Sequence, residues 1–363
     1  GRVRDALRGR APDLAVVFLG ASYTPAAADV RDRVVESLAP RHLVGVTSGA
    51  GVIAGTQEIE DLAALSVWAA CLPGAELTPL RYEPPRESPD GLELGWEPPP
   101  QGAKGLLVLA DPFTFPADGF LAWVDQARPG LPVSGGLASA GREPGHNRLL
   151  LDDAVVDSGA VAVAFGGDVR LRTLVSQGCR PIGSSYVVTR ADRNLLQELA
   201  GEPPVERIRE TFAEVDQAER RLMRAGLHIG TVIDEYREDF GRGDFLVRGV
   251  LGAEPDSGAI AVGDVVRVGQ TVRFHVRDAD SADEDLRELL SEFARTGSSD
   301  AALLFSCNGR GTRLFGSPHH DASLVREALG DLPLAGFFCA GEFGPVGPRS
   351  FLHGFTASML AFE

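Results

Sequence analysis

The sequence is very poor in lysine, and this scarcity excludes several classes of enzyme. Lys104 is the only lysine among 35 basic side chains. Walker A phosphate loops, protein-kinase sites and Ser-x-x-Lys nucleophile sites each need a lysine in a defined setting. Lys104 stands just before the apolar run 105–109 and matches none of these patterns. We therefore expect none of these three activities.

Cysteines and long apolar segments are scarce as well. The four cysteines are far apart and form no C-x-x-C pair, which is typical of thiols in a reducing compartment. No stretch of sequence is long and apolar enough to span a bilayer, and the N-terminus lacks the apolar segment of a signal peptide. The sequence therefore predicts a cytoplasmic protein without membrane insertion.

The charge balance is strongly acidic. The 363 residues carry 51 acidic and 35 basic side chains, a formal charge of −16. An acidic surface repels phosphate backbones and anionic headgroups, so neither nucleic acid nor a membrane surface is an expected partner. A hydrophobic content of 44% and a charged content of 24% are those of a folded globular chain with room for two domains.

One pattern of elements occurs three times along the chain. Each copy opens on a nearly continuous apolar strand, continues into a helix with apolar residues at helical spacing, and returns through a second strand. The first strands are expected over 14–19, 106–109 and 301–305, the helices over 24–38, 120–127 and 321–329, and the second strands over 43–47, 133–136 and 334–338. Continuously apolar strands are typical of sheets covered on both faces.

The last strand of each copy completes the expected fold. In the first copy an apolar strand is predicted over 62–72. In the second, residues 149–156 are predicted to form a hairpin with 160–165, and in the third a terminal strand is predicted over 353–362. The fold class is thus α/β (α+β), with mixed sheets built from repeated strand–helix–strand–strand units.

A different stretch separates the second copy from the third. Residues 191–199 and 204–225 are predicted to be helical, and several short strands follow them. A boundary near residue 205 divides the chain into two expected domains, 11–205 and 206–363.

Three motifs near the C-terminus carry a family resemblance. They are FSCNGRG at 305–311, LAGFFCAGE at 334–342 and HGFT at 353–356. In this order and spacing they resemble the C-terminal domain of the FIST family. Weaker matches, LVGVTS at 43–48 and GCRPIG at 178–183, are similar to the N-terminal domain of that family.

The resemblance implies a sensory role in signal transduction. Such domains are expected to bind a small ligand, with an amino acid as the usual suggestion. Nothing in the sequence resembles a kinase, a methyl-accepting segment or an F-box, so the signalling partner is left open. Neither the motifs nor their spacing indicate a cofactor.

Two charged residues in these motifs are the main candidates for ligand contacts. Arg310 lies in a glycine-rich turn with Cys307 and Asn308 after a buried strand, where its guanidinium could bind a carboxylate. Glu342 follows Gly341 in the matching turn and could accept an ammonium group. The structural alternative is that Arg310 pairs with an acid such as Glu342, or that Glu342 caps backbone amides.

Small polar residues occupy equivalent turns in the first two copies. Ser48 and Ser139 could line a pocket shared with these turns, although serines are also ordinary turn formers. The predicted ligand site consists of Ser48, Ser139, Cys307, Asn308, Arg310, Gly341, Glu342 and His353.

The sequence also allows functions other than ligand sensing. Cys307 and His353 could act as nucleophile and base, but a cysteine at a strand end is more often a small buried hydrophobe. A third possibility is an interaction scaffold. The run His319-His320-Asp321 is interpreted as a solvated loop in which Asp321 caps a helix, since adjacent histidines diverge and no further metal ligand has suitable spacing. We predict no catalytic residue and no metal site.

Overall fold

The structure is a computed structural model that describes residues 2–88, 91–237 and 239–363. By spatial contact the chain divides into two units. Unit 1 comprises Gly1–Val175 and Leu286–Glu363, and unit 2 comprises Ser176–Asp285. The division into domains 11–205 and 206–363 remains a prediction. In the part of the chain that the structure describes, no helix has the length and apolarity to cross a membrane.

The elements are numbered along the chain. The helices are α1 (Arg2–Ala6), α2 (Ala27–Leu38), α3 (Ala117–Ala127), α4 (Pro204–Glu214), α5 (Gln217–Ala225), α6 (Ala279–Thr296), α7 (Thr312–Phe315) and α8 (His320–Leu329). The first strands are β1 (Leu14–Gly20), β2 (His42–Ser48), β3 (Gly51–Ala54), β4 (Gln57–Glu60), β5 (Leu65–Ala70), β6 (Ala75–Tyr82), β7 (Arg86–Ser88), β8 (Gly91–Glu93), β9 (Gly105–Ala110), β10 (Val133–Leu137), β11 (Leu149–Leu151), β12 (Ala154–Val156), β13 (Ala160–Gly167) and β14 (Leu171–Ser176). They are followed by β15 (Cys179–Asp192), β16 (Leu195–Leu199), β17 (Leu227–Val232), β18 (Phe245–Ala253), β19 (Ile260–Val262), β20 (Thr271–Arg277), β21 (Ala301–Cys307), β22 (Leu334–Cys339), β23 (Glu342–Val346), β24 (Arg349–His353) and β25 (Ala357–Phe362).

Unit 1 contains the three predicted repeats. In each of them two parallel strands flank a helix: β1 and β2 with α2, β9 and β10 with α3, and β21 and β22 with α8. An antiparallel third strand, β5, β13 or β25, pairs with the other side of the first strand. The first strands are buried almost throughout, because both faces of each sheet are covered. The α/β fold built from repeated units is confirmed.

A glycine occupies the same place in the second strand of every repeat. Each is the register partner of a residue in the middle of the first strand, and a Cβ there would crowd or overlap the carbonyl oxygen of that partner. The three pairs are Gly45 with Val17, Gly135 with Val108, and Gly336 with Leu304. This close approach shows that the repeats share a detailed backbone geometry as well as an element order.

The repeats are interlocked because each contributes a hairpin that pairs with the sheet of another repeat. Hairpin β3–β4 of the first repeat pairs with β22 of the third. Hairpin β11–β12 of the second pairs with β2 of the first, and hairpin β23–β24 of the third pairs with β10 of the second. The sheet orders are β12-β11-β2-β1-β5, β24-β23-β10-β9-β13-β6 and β14-β25-β21-β22-β3-β4. The three exchanges form a closed cycle.

This exchange overturns one predicted strand pairing and the bounds of one predicted strand. Residues 149–156 form the hairpin β11–β12 by themselves, whereas β13 pairs with β6 and β9 in another sheet. The expected terminal strand 353–362 is divided into β24 and β25, since β24 belongs to the exported hairpin. The sequence pattern predicted that neighbouring segments belong to one sheet, but the chain passes from one sheet to another between them.

The inner faces of the sheets share one apolar core. Phe18 stacks on Phe337 with ring centroids 5.3 Å apart and meets Phe305 edge-on at 6.5 Å. Phe165 and Phe362 pack at 5.5 Å. Aromatic pairs with this geometry add to the burial of apolar area, so the core links the sheets of the three repeats.

Unit 2 is a closed antiparallel barrel with the strand order β15-β16-β19-β18-β17-β20. Its interior is filled by apolar side chains such as Ile182, Leu196, Ile229 and Phe274. The helix predicted over 191–199 is wrong: this segment forms the end of β15 and strand β16, a pair that closes the barrel. In the GCRPIG motif, Arg180 forms ion pairs of 2.7 Å with Glu219 and with Asp278.

Candidate functional site

The hairpin exchange brings together the turns that follow the second strands of the three repeats. The Ser139 hydroxyl donates a hydrogen bond to the Phe338 carbonyl oxygen at 2.6 Å, and the Ser48 hydroxyl lies 3.0 Å from the same oxygen. The backbone N–H of Gly49 donates to Ser139 Oγ at 2.9 Å. One turn from each repeat thus meets at a single carbonyl group at the carboxyl end of β22.

The FSCNGRG turn is fastened to the same strand end. Cys307 and Cys339 are register partners at the ends of β21 and β22. The Asn308 backbone N–H donates to the carbonyl oxygen of Cys339 at 2.8 Å, and the Arg310 N–H donates to that of Cys307 at 2.8 Å. This backbone bonding fixes the path from which the Arg310 side chain leaves.

Arg310 is fully buried and forms a two-pronged ion pair with Asp321. Its Nε and Nη2 groups donate to the Asp321 carboxylate at 2.7 and 2.8 Å, and the Ser306 hydroxyl donates to the same carboxylate at 2.8 Å. Burial, the largest single effect, would lower the pKa of Arg310, but the charge and hydrogen bonding of Asp321 together with the charges of Cys307 and Glu342 outweigh it, and the pKa is raised. Burial would likewise raise the pKa of Asp321, yet the guanidinium holds it below its usual value.

This pair corrects the prediction for the run 319–321. Helix α8 begins at His320 after His319, and Asp321 lies inside the first turn instead of capping it. Asp321 is buried, not solvated. A buried guanidinium is destabilising unless an opposite charge lies close to it. The Asp321 carboxylate supplies that charge and therefore does not cap the helix. The acid that pairs with Arg310 is therefore Asp321, not Glu342.

Asp321 uses only two of the three guanidinium nitrogens of Arg310. Among the residues that the structure describes, its Nη1 group has no hydrogen-bond acceptor although it is buried. The charges of Cys307 and Glu342 also act on this guanidinium and favour its protonated form. A buried donor without an acceptor costs free energy, which an added anionic group would recover.

Glu342 is a fully buried carboxylate whose charge acts on the Arg310 guanidinium. One of its oxygens accepts hydrogen bonds from the Thr356 hydroxyl at 2.8 Å and from the Thr356 backbone N–H at 3.3 Å. Its register partners are Gly136 on one side and His353 on the other. Burial raises the pKa of the Cys339 thiol, and the neighbouring Glu342 charge adds to this effect.

Two other predicted residues, His353 and Gly341, form hydrogen bonds with backbone groups of the same region. His353 Nε2 lies 2.9 Å from the carbonyl oxygen of Gly344, which can only accept, so Nε2 carries the proton. The Gly341 carbonyl oxygen accepts from the N–H of Leu137 at 2.8 Å. Catalysis by Cys307 and His353 remains an untested alternative.

Two acidic residues at the site were missed by the sequence analysis. They lie on hairpin β3–β4, which the first repeat exports to the third. Glu58 accepts a hydrogen bond from the Ala322 N–H at 2.8 Å, and Glu60 accepts from the Thr312 hydroxyl at 2.7 Å. The only signal in the sequence is their period-two spacing, which does not reveal the partner sheet.

Glu58 is a carboxyl group whose pKa is shifted in the opposite direction to that of Asp321. Burial, followed by the charge of Asp321, raises its pKa to about 7. Its second oxygen, Oε2, is buried and has no hydrogen-bond partner within the described residues. The strand-end cluster, defined as the eight predicted residues with Glu58, Glu60, Ser306, Asp321 and Thr356, therefore contains a carboxyl group that titrates near neutral pH.

The strand-end cluster differs from the open cavities of unit 1. None of its members lines the cavities of about 620 and 580 Å³ found elsewhere in that unit. Within the described ranges, no group of three or more His, Cys, Asp or Glu side chains is arranged to hold a metal ion. The cluster offers hydrogen-bonding and charged groups for binding a ligand.

These features define an α/β protein of three interlocked repeats with a separate six-stranded barrel. The chain belongs to the FIST family: the FIST N domain matches residues 13–202 and the FIST C domain matches residues 204–345. FIST domains are sensory and signal-transduction domains that bind small ligands.

Mycobacterial proteins are similar to the chain over nearly its whole length. An uncharacterized protein of Mycobacterium bovis is 45% identical over 364 residues, which cover 100% of this chain and 93% of the relative. An uncharacterized protein of Mycobacterium tuberculosis is 44% identical over 361 residues, which cover 99% of this chain and 93% of the relative.

Proposed function

We propose that the chain is a cytoplasmic sensory protein that binds a small zwitterion, such as an amino acid, at the strand-end cluster. The contacts would come from the predicted residues Ser48, Ser139, Cys307, Asn308, Arg310, Gly341, Glu342 and His353. The ligand carboxylate would meet Arg310, and its ammonium group would meet Glu342. The signalling partner that receives the output is not specified by the cluster.

One observation carries this proposal: turns from all three repeats meet beside a buried guanidinium with an unused donor edge. Asp321 occupies Nε and Nη2, so a carboxylate that reaches Nη1 would be held without displacing the ion pair. Charge-assisted hydrogen bonds to a guanidinium are among the stronger polar contacts in proteins.

The balance of charge supports a ligand that also carries an ammonium group. The Arg310–Asp321 pair is close to neutral, and Glu342 adds a buried carboxylate nearby. A ligand with only a carboxylate would add a second negative charge to this region, at a cost that low dielectric increases. A zwitterion has a carboxylate for the Arg310 guanidinium and an ammonium group for the Glu342 carboxylate.

Because of the hairpin exchange, a ligand bound at the strand-end cluster would contact turns that connect all three sheets. Each turn connects a strand of its own sheet to a hairpin in a neighbouring sheet. A ligand that draws the turns together would therefore bias the packing of every sheet, which is the kind of two-state element a sensor requires.

Thermal-shift measurements with the common amino acids test the proposal. We expect at least one of them to raise the Tm of the wild-type chain, because a ligand bound only to the folded state stabilises it. Replacement of the carboxylate in Glu342→Gln keeps the shape of the side chain and should abolish the shift. Glu36→Gln, on the exposed face of α2, is the matched control.

Arg310→Ala is a poor test variant, because it would leave the Asp321 carboxylate buried without its partner. If no amino acid shifts the Tm, or if Glu342→Gln retains the full shift, the strand-end cluster is not the binding site.

A further inference from the structure

The larger of these two cavities lies at the end of the sheets of unit 1 opposite to the strand-end cluster. It has a volume of about 620 Å³, within the range of sites that bind small molecules. Its walls include Ala301 and Leu334, the first residues of β21 and β22, and Ala70, the partner of the first residue of β1. It is therefore at the amino ends of the parallel strands, whereas the strand-end cluster is at their carboxyl ends.

The cavity combines aromatic walls with an acidic rim. Trp68 and Phe362 line it with ring centroids 5.0 Å apart. The acidic residues that line it are Asp168, Asp300 and Glu363, and the only basic one among the described lining residues is Arg10. Glu363 is paired with Arg172 at 3.4 Å, but neither Asp168 nor Asp300 has an ion-pair partner in the described part of the chain.

The tryptophan in the wall also has an unused donor. Trp68 is 4% exposed, and its indole Nε1 has no hydrogen-bond acceptor among the described residues. A buried N–H of this kind is stabilised when an acceptor reaches it. Nε1 is itself buried and an ammonium group cannot accept a hydrogen bond, so it is the indole ring, not this N–H, that Trp68 can offer to an organic cation.

We propose that this cavity binds a small organic amine with an apolar body, at a site separate from the strand-end cluster. The apolar body would pack against Trp68 and Phe362, and the ammonium group would lie between the aromatic walls and the carboxylates of Asp168 and Asp300. Aromatic faces and carboxylates both attract organic cations, and the two together favour a cation over an anion of the same shape.

The test uses 2-phenylethylammonium, with 3-phenylpropanoate as a probe of similar shape and opposite charge. Trp68 is one of three tryptophans, and Trp96 and Trp123 pack against each other in a different apolar cluster. The double variant Trp96→Phe and Trp123→Phe therefore leaves Trp68, in the cavity wall, as the single tryptophan, which is excited selectively at about 295 nm or above. We expect saturable quenching or a spectral shift with the amine and none with the carboxylate.

Thiol labelling provides a second readout on the unmodified chain. Cys71 lines the cavity and is partly exposed, whereas the other three cysteines are buried. The amine should slow alkylation of Cys71 by iodoacetamide, measured by peptide mass spectrometry, whether or not the tryptophan variant folds.

A pair of charge variants assigns the site. Asp168→Asn with Asp300→Asn should weaken amine binding about tenfold, because the variant removes both carboxylates that would face the ammonium group and exposed charge pairs are individually weak. Glu214→Gln with Asp256→Asn, on exposed positions of unit 2, makes the same change in net charge and should leave the affinity unchanged.

Three results would overturn the proposal: no protection of Cys71 by the amine, equal protection by 3-phenylpropanoate, or unchanged affinity in the Asp168 and Asp300 variant. None of them depends on whether amino acids bind at the strand-end cluster, because that test reads Glu342 and this one reads the opposite end of the sheets.

Discussion

The two ends of the parallel strands in unit 1 are built in opposite ways. At the carboxyl ends, the strand-end cluster is closed, hydrogen-bonded and charged, with Arg310 and Asp321 fully buried. At the amino ends, a cavity of about 620 Å³ is open between apolar walls with carboxylates at its rim. One set of sheets therefore provides both a dense polar network and a void. Stability should depend on charge pairing at the first end and be tolerant of side-chain size at the second.

The largest expected effect is the loss of the buried ion pair. Asp321→Ala leaves the Arg310 guanidinium buried without its partner, and should lower the free energy of unfolding by about 3–5 kcal/mol. Urea unfolding followed by tryptophan fluorescence measures it. The control is Arg287→Ala, which removes a 3.0 Å pair with Glu327 whose side chains are more than half exposed. That variant should lose no more than about 1 kcal/mol. Equal losses in both would show that the buried pair has no special weight.

The next effect is a dependence of stability on pH. The pKa of Glu58 is raised from 4.5 to about 7 in the folded protein, so the folded state holds this proton more tightly than the unfolded state. The resulting stabilisation is complete below pH 4.5 and is lost as the pH rises to about 7 and beyond. Glu58→Gln cannot ionise and should avoid this loss, which reaches about 3 kcal/mol at most.

Urea unfolding at several pH values between 4 and 8 compares the two proteins. The stability of Glu58→Gln relative to wild type should increase with pH, whereas that of the exposed variant Glu36→Gln should stay level. A constant difference between Glu58→Gln and wild type across this range would mean that Glu58 titrates normally.

A third comparison tests the packing at the two ends. In Gly136→Ala the new Cβ would lie 2.5 Å from Cys339 Sγ and 3.1 Å from the Gly341 carbonyl oxygen, and overpacking of this kind costs about 1–3 kcal/mol. Ala69→Val adds two methyl groups on a wall of the cavity and should change stability by less than about 1 kcal/mol. If Ala69→Val is the more damaging variant, the void at the amino ends is not open space.

The smallest effect concerns the meeting point of the three turns. Ser139→Ala removes the hydrogen bond to the Phe338 carbonyl oxygen and the acceptor for the Gly49 N–H, at a cost of about 1 kcal/mol. Ser37→Ala on exposed α2 should stay within about 0.5 kcal/mol of wild type. A silent Ser139→Ala variant would indicate that the turns are held together by other contacts.

The sequence was informative where the structure depends on local pattern. The apolar runs 14–19, 106–109 and 301–305 all proved to be central strands, because burial on both faces leaves a continuous signal. The helices between paired parallel strands were also predictable from apolar spacing. The turn motifs pointed to the region where Ser48 and Ser139 meet.

What the sequence did not reveal is the exchange of hairpins. Nothing local distinguishes a hairpin that folds back on its own sheet from one that pairs with a strand almost 300 residues away, as β3 does with β22. Glu58 was missed for this reason. Asp321 was misplaced because its ion pair with the buried Arg310 outweighs its local tendency to cap a helix. The cavity at the amino ends has no sequence signature, since its walls come from separate segments of the chain.

Hydrogen–deuterium exchange of the full chain, with and without a millimolar mixture of the twenty common amino acids, tests most directly which end of the sheets senses the zwitterion. Binding at the strand-end cluster predicts added protection at the turns 48–51, 137–141, 305–312 and 338–343, and no change at residues 68–73 in the cavity wall. Protection confined to 68–73, or absent from the whole chain, would contradict the proposed function.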